Sequence, residues 1–134
     1  KKSGQILFSR ALGDFSTDIA KDVTREMFAA SSRPDAVFVA TDHMAFAVMD
    51  VLRSELGLSI PADVSVVGYD DVPPSSWAGY NLTTLRQRAN LMVEKTVRLM
   101  IDKIRDPDVA PMHLKINSPL IVRGSAKIPE GWST

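Results

Sequence analysis

The chain contains no cysteine among its 134 residues, so neither a disulfide framework nor a thiolate metal site is possible. It also has no excess of either charge, because 16 basic side chains stand against 16 acidic ones. A surface that binds nucleic acid needs a basic excess to meet the phosphates, so the balance argues against such a surface within this chain. The lack of cysteine fits a reducing cytoplasm, which is the expected location.

Long apolar runs are also missing. The longest is MAFAVM at 44–49, far below the ~20 residues that a membrane helix needs. The opening KKSGQILFSR lacks the long apolar core of a signal peptide, and no membrane partner is expected. Hydrophobic residues at 45% and charged residues at 24% are ordinary for a globular protein, and the length suits one modest domain or a piece of a larger one.

Strand-like runs and helical periodicities alternate along the first half of the chain. Apolar runs at 5–9, 36–40 and 64–69 are separated by helical spacing over 16–30 and 41–56. Each parallel crossover needs a helix-length connection, so this order predicts an α/β fold with a parallel sheet and helices on both faces. The core-facing stripe of the first helix is predicted to comprise Ile19, Val23, Met27 and Ala30.

The second half begins with a short β-like stretch, LTTLRQ, at 82–87. A helix is predicted from Ala89 to the Asp-Pro pair at 106–107, and strands are predicted at 112–116 and 119–125. The apolar face of this helix is predicted to comprise Val93, Val97, Met100, Ile101 and Ile104. From residue 126 onward the sequence has no periodicity.

Polar clusters follow three of the predicted strands. GDFS contains Phe15, TDH contains Thr41 and Asp42, and YDD contains Asp70 and Asp71. In an open parallel sheet, ligands bind outside the carboxyl ends of the strands. We therefore expect these five side chains to line one rim of the sheet.

Each rim residue also has a purely structural interpretation, and for Asp70 it is a turn former before Pro73 and Pro74. Thr41 or Asp42 can cap the second helix, and Asp71 can form the turn after the strand. Phe15 can belong to a satellite of the core or can offer a flat stacking face. Asp70 continues the register of its strand at the rim, which favours contact with a polar ligand.

The sequence offers little for catalysis. It has no G-x-S-x-G motif and no phosphate-binding glycine loop, and its histidines, His43 and His113, lie in different elements. A Mg²⁺ site from Asp42, Asp70 and Asp71 is a conceivable enzymatic alternative, because Mg²⁺ prefers carboxylate oxygens. No nucleophile accompanies it. The residues indicate binding without catalysis, metal or cofactor.

Several segments resemble the effector-binding core of lac-repressor-type (LacI/GalR) transcription regulators. RPDAVF, D-x-MA, G-L-x-I-P-x-D-V-S-V-V-G-Y-D-D and LTT-x-R-Q occur in that order and near that spacing, and the match continues over nearly the whole chain. The resemblance implies an incomplete periplasmic-binding-protein-like fold whose small-molecule site lies in a cleft between two subdomains. Its segments would be most of the C-terminal subdomain at 1–86, a crossover helix and strand of the N-terminal subdomain at 87–117, a return strand at 118–125 and a tail at 126–134.

The resemblance also implies roles for particular residues. Asp70 would accept hydrogen bonds from two effector hydroxyls, which suits an acceptor-only carboxylate. Phe15 would stack on the effector, and Gln87 would lie at the hinge of the cleft. Thr41 stands where many sugar-responsive members carry asparagine, a departure that argues against an ordinary hexose as effector.

Partners follow from the same resemblance. The family dimerises through the C-terminal subdomain, and Phe46 and Trp77 are predicted to be exposed aromatics at that interface. Operator DNA would be bound only through an N-terminal helix-turn-helix outside this chain. The main hypothesis is the part of a cytoplasmic regulator that senses a sugar-like or nucleoside-like effector. The alternative is a solute-binding protein of a sugar transporter with the same fold.

Overall fold

A computed structural model describes residues 9–31 and 33–131, in which four strands form one sheet. The strands, in their spatial order, are β1 (Ala36–Phe38), β2 (Ser65–Asp70), β3 (Thr83–Arg86) and β4 (Leu120–Ile121). β1, β2 and β3 run parallel, and β4 pairs antiparallel with β3. The predicted α/β fold with a mainly parallel sheet is confirmed. The strand predicted at 5–9 lies outside the described residues except for its last position.

The described residues form three α-helices: α1 (Thr17–Ala29) precedes β1, α2 (Asp42–Asp50) connects β1 to β2, and α3 (Ala89–Arg105) connects β3 to β4. A π-helical turn at Val51–Glu55 extends α2, and the left-handed Gly57 follows it at φ 64°. Glycine adopts that conformation at little cost, so the helix ends where the sequence predicts. Within the described residues, no helix combines the length and apolar character that crossing a membrane requires.

The core lies between α2 and the sheet. Its side chains without solvent exposure include Met49 and Leu52 from the helical segment, Val66 from β2, and Leu82 just before β3. Burial of such side chains stabilises the fold by roughly 1.5 to 3 kcal/mol each. This packing fixes the first turn of α2 against the ends of β2 and β3, where the polar clusters lie.

The apolar stripe predicted for α1 is confirmed only in part. The side chains of α1 buried in the core are Ala20, Thr24 and Phe28. Ile19, by contrast, is 40% exposed. Met27 is half-buried and packs against the core. Val23 is half-buried, and it lines an open groove together with Met27 and the buried side chains of α1. Periodicity alone does not show how deeply each apolar side chain is buried.

The strand predicted at 112–116 is also wrong. This segment has no regular structure, and its Met112 and Leu114 are 62% and 47% exposed. A strand needs a neighbour to take its hydrogen bonds, and within the described ranges none lies beside this segment. The return strand is shorter than predicted, because only Leu120 and Ile121 pair with β3.

The third helix is confirmed, and it ends before Asp106 and Pro107 as predicted. Its apolar face, however, is not covered by the described part of the chain. The exposed apolar residues of this face are Val93, Val97, Met100, Ile101 and Ile104, each at least 42% exposed. An amphipathic helix of this kind normally buries such a stripe against another element.

Candidate functional site

Two neighbouring strands deliver a carboxylate and an amide to the same rim. Asp70 is the last residue of β2, and Gln87 directly follows β3. The Nε2 of Gln87 donates to Oδ1 of Asp70 at 2.6 Å, and the Gln87 backbone N–H donates to the Asp70 carbonyl at 3.3 Å. Both side chains are half-buried. Since a carboxylate has about four lone-pair sites, Asp70 can accept further hydrogen bonds from a ligand.

The backbone at this rim adopts an uncommon conformation. Asp70 has φ 129° and Asp71 has φ 60°, a region that favours glycine. Residues held in such conformations cost on the order of 1 to 3 kcal/mol each and persist only where the surrounding structure fixes them. The rim is therefore a rigidly held turn.

The carboxylate of Asp71 binds different partners from that of Asp70. Its carboxylate accepts from Nε of Arg86 at 2.5 Å and from Nη2 of Arg123 at 2.6 Å, and its side chain is only 5% exposed. Burial alone would raise its pKa, but the hydrogen bonds and charges of Arg123 and Arg86 together lower the pKa of Asp71 below its ordinary value. The residue joins the turn to β3 and to the segment after β4.

Replacing Asp71 with asparagine should lower the free energy of unfolding by about 2 kcal/mol at pH 7, because two arginines lose their anionic partner. A folded pKa below the unfolded value means that the carboxylate stabilises the protein above about pH 4. That contribution disappears as the pH falls through the folded pKa. Urea unfolding at pH 7, 5 and 3 should therefore show the difference between wild type and Asp71→Asn shrinking only at the lowest pH. A difference that does not change with pH would contradict this role.

The two candidates for the helix cap have different functions. Oγ1 of Thr41 accepts from the Met44 N–H at 3.3 Å, so Thr41 caps α2, and its hydroxyl hydrogen remains able to donate. Asp42 is fully buried and does not act as the cap. Its donors are the Val72 N–H at 3.0 Å, the Ser75 hydroxyl at 2.6 Å and the Thr84 hydroxyl at 2.6 Å.

The three rim aspartates do not converge on a common point. Asp42 binds buried protein donors, Asp71 binds two arginines, and Asp70 binds Gln87. Among the described residues, no group of three or more histidine, cysteine or acidic side chains could hold a metal ion. This arrangement gives no support to the Mg²⁺ alternative.

Phe15 lies in the loop before α1 and is 82% exposed, which excludes a place in a satellite core. Its φ is 52°, and that of Asp14 is 47°. The same loop lies against the first turn of α2, because a Cβ built on Gly13 would come within 2.7 Å of the sulfur of Met44. Phe15 lines an open groove that also includes Met44 and Val48 of α2.

The prediction that Phe46 is an exposed aromatic is wrong. The side chain is 8% exposed, and its ring stacks on Tyr80 with centroids 4.2 Å apart. The helical wheel places Phe46 off the main stripe, but the loop that follows the 3-10 helix Pro73–Ser76 folds over that side of α2. Trp77 is 59% exposed, as predicted.

Several residues that build the rim were not predicted from the sequence. Ser75 and Thr84 hold Asp42, and Arg123 holds Asp71. One signal was present for the Asp42 site. Gly68 interrupts a β-branched strand, which is typical of a close approach by another group, and a Cβ there would lie 2.2 Å from Oδ1 of Asp42.

Comparison with known proteins shows the family of the chain. A family model described as a periplasmic binding protein-like domain matches residues 8–126. The chain belongs to this family. As a periplasmic binding protein-like domain, it is 37% identical over 113 residues to the HTH-type transcriptional regulator CelR of Thermobifida fusca. It is 33% identical over 105 residues to the lactose operon repressor of Rhizobium radiobacter, which confirms the resemblance to lac-repressor-type regulators.

The solved structure of a CelR–cellobiose complex shares the fold, with a TM-score of 0.76 and 36% identity. The match covers 84% of this chain and 34% of that structure's chain. The CelR sequence match covers 84% of this chain and 33% of CelR, whereas the R. radiobacter match covers 78% and 91% respectively. The chain therefore spans about a third of the length of CelR.

Proposed function

We propose that this periplasmic binding protein-like domain is the effector-sensing part of a lac-repressor-type transcription regulator. The observation that carries the proposal is the contact between Asp70 and Gln87 at the ends of adjacent strands. This pair combines an anionic acceptor with an amide and lies at the edge where parallel sheets bind ligands. The groups bind and orient a molecule, and none is placed as a nucleophile, so the proposed role is binding and not catalysis.

The chemistry of the rim suits a small ligand that carries hydroxyl groups. Asp70 would accept hydrogen bonds from a vicinal diol, and Thr41 would donate its hydroxyl hydrogen. Phe15 would pack its exposed ring against the ligand's ring, a contact that sugars and nucleosides both offer. The names of two relatives point to sugars, since one is seen bound to cellobiose and the other controls a lactose operon.

We propose the subdomain assignment predicted from the resemblance. Residues 1–86 would belong to the C-terminal subdomain, 87–117 would cross into the N-terminal subdomain, 118–125 would return, and 126–134 would form the tail. The exposed apolar face of α3 supports this assignment, because the helix lacks the packing partner that a second subdomain would supply. Effector binding would then change the angle between subdomains and thereby the affinity of a dimer for operator DNA.

Titration calorimetry on the complete natural protein that contains this chain tests the proposal. The panel should include cellobiose, lactose, monosaccharides and nucleosides, and the best ligand should then be added to an operator-binding assay. Saturable binding together with a change in DNA affinity is the expected result. Tight sugar binding by an exported protein without a DNA-binding module would favour the transporter alternative over a cytoplasmic regulator.

We further propose that Trp77 lies in a homodimer interface. Tryptophans at the centre of interfaces commonly contribute 2 kcal/mol or more, so Trp77→Glu should weaken the dimer roughly 30-fold or more in sedimentation equilibrium. Phe15→Glu is the matched control, because it places the same charge on another exposed aromatic and should leave the dimer intact. Equal dimer constants for Trp77→Glu and wild type would place the interface elsewhere.

A further inference from the structure

Asp42 is a buried carboxylate that the proposed ligand site does not itself use. It has no solvent exposure, and its two oxygens are divided between different parts of the fold. Oδ1 accepts from the Thr84 hydroxyl of β3, and Oδ2 accepts from the Val72 N–H and the Ser75 hydroxyl. A carboxylate buried with three donors indicates a specific positional role, since an ion of this kind is costly to remove from water.

The chain on both sides of Asp70 meets this carboxylate. Two residues before Asp70, Gly68 passes so close that a Cβ would lie 2.2 Å from Oδ1 of Asp42. Two residues after Asp70, the Val72 N–H donates to Oδ2 at 3.0 Å. Asp42 therefore contacts the strand that enters the rim and the loop that leaves it.

The residues between these contacts have the unusual backbone of the rim. Asp70 at φ 129° and Asp71 at φ 60° need neighbours that hold them, or they would relax to an ordinary conformation. The arginine pairs hold Asp71, and the Gln87 backbone N–H donates to the Asp70 carbonyl. Asp42 adds a side-chain restraint on the loop at Val72 and Ser75, which backbone hydrogen bonds also hold.

We propose that Asp42 is a positioning residue that fixes the ligand-binding carboxylate of Asp70 by restraining the loop after β2. The affinity consequence rests on the proposed function, because it requires Asp70 to bind the effector. The restraint itself does not. The Thr84 hydroxyl of β3 holds the Asp42 carboxylate in place. The carboxylate in turn holds Val72 and Ser75 of the loop that follows Asp70.

A matched pair of variants separates positioning from general stability. Ser75→Ala and Thr84→Val each remove one hydroxyl that donates to Asp42 at 2.6 Å, and both residues are fully buried. The two variants should therefore lose similar amounts of stability. In the ligand-free complete protein, hydrogen–deuterium exchange of a peptide covering 69–75 should rise several-fold in Ser75→Ala and stay near the wild-type rate in Thr84→Val.

The same variants should differ in affinity, measured by calorimetry with cellobiose and with lactose. Ser75→Ala should weaken binding about 10-fold and Thr84→Val less than about 2-fold, each relative to wild type. Unchanged exchange in Ser75→Ala, or an equal rise in both variants, would overturn the positioning role whether or not a sugar binds. If the two variants show the expected difference in exchange but Asp70→Gly binds sugar as tightly as wild type, the positioning role stands. The assignment of Asp70 to the effector would then be overturned.

Discussion

Asp70→Ala should weaken effector binding by about 100-fold or more. Hydrogen bonds to a charged group contribute about 1.5 to 3 kcal/mol each, and the proposed contact involves two ligand hydroxyls. The only protein group described as donating to the Asp70 carboxylate is Gln87. Removing the carboxylate leaves Gln87 without its acceptor and the ligand without its anionic partner. Calorimetry with the best ligand of the panel measures the loss.

Alanine at position 70 keeps the backbone strain of the native aspartate, because φ is 129° there. Asp70→Gly is the sharper variant, since glycine adopts that angle without a steric cost. Its affinity should fall as far as that of Asp70→Ala, while its free energy of unfolding should be about 1 kcal/mol higher than that of the alanine variant. Asp50→Ala, at the far end of α2, is the control and should bind normally. Normal binding by Asp70→Gly would show that the carboxylate does not hold the ligand.

Asp42→Ala should lower the free energy of unfolding by about 3 to 5 kcal/mol. The substitution leaves the half-buried Val72 N–H and the buried hydroxyls of Ser75 and Thr84 without their acceptor. Each unsatisfied buried donor costs about 1 to 3 kcal/mol, and the missing carboxylate also leaves a cavity against Gly68. Urea unfolding followed by circular dichroism measures the change.

Asp42→Asn gives a graded comparison. Its amide keeps one acceptor oxygen, and the hydroxyl of Ser75 can rotate to accept, so the expected loss is about 2 kcal/mol. The exposed Asp50→Ala should change stability by less than about 0.5 kcal/mol. A loss below about 1 kcal/mol for Asp42→Ala would contradict the central role of this carboxylate in the fold.

Local spacing in the sequence was enough to predict most elements. The alternation of apolar runs and helical periodicities identified β1, β2, β3 and all three helices, because the face that a side chain occupies depends only on nearby residues. Local spacing also gave Thr41 as one of two candidate caps of α2, since a cap bonds an N–H three positions away.

Predictions from local spacing were wrong where burial or strand pairing depends on a distant segment of the chain. Residues 112–116 alternate like a strand, yet pairing requires a neighbour that the described residues do not provide. The stripe of α1 was only partly right, because Ile19 is exposed while Met27 packs against the core. Phe46 was predicted to be exposed because the position of Tyr80, 34 residues further along the chain, is not encoded in the helix itself.

By itself, the sequence determined that Asp70 ends a strand and that the chain has a periplasmic binding protein-like fold. Only the tertiary structure decided how the three aspartates differ. Ser75 and Thr84, which hold Asp42, are 33 and 42 residues away from it, and Arg123 is 52 residues away from Asp71. The sequence pattern around each aspartate does not show these donors, because they come from distant segments that meet only when the sheet has formed.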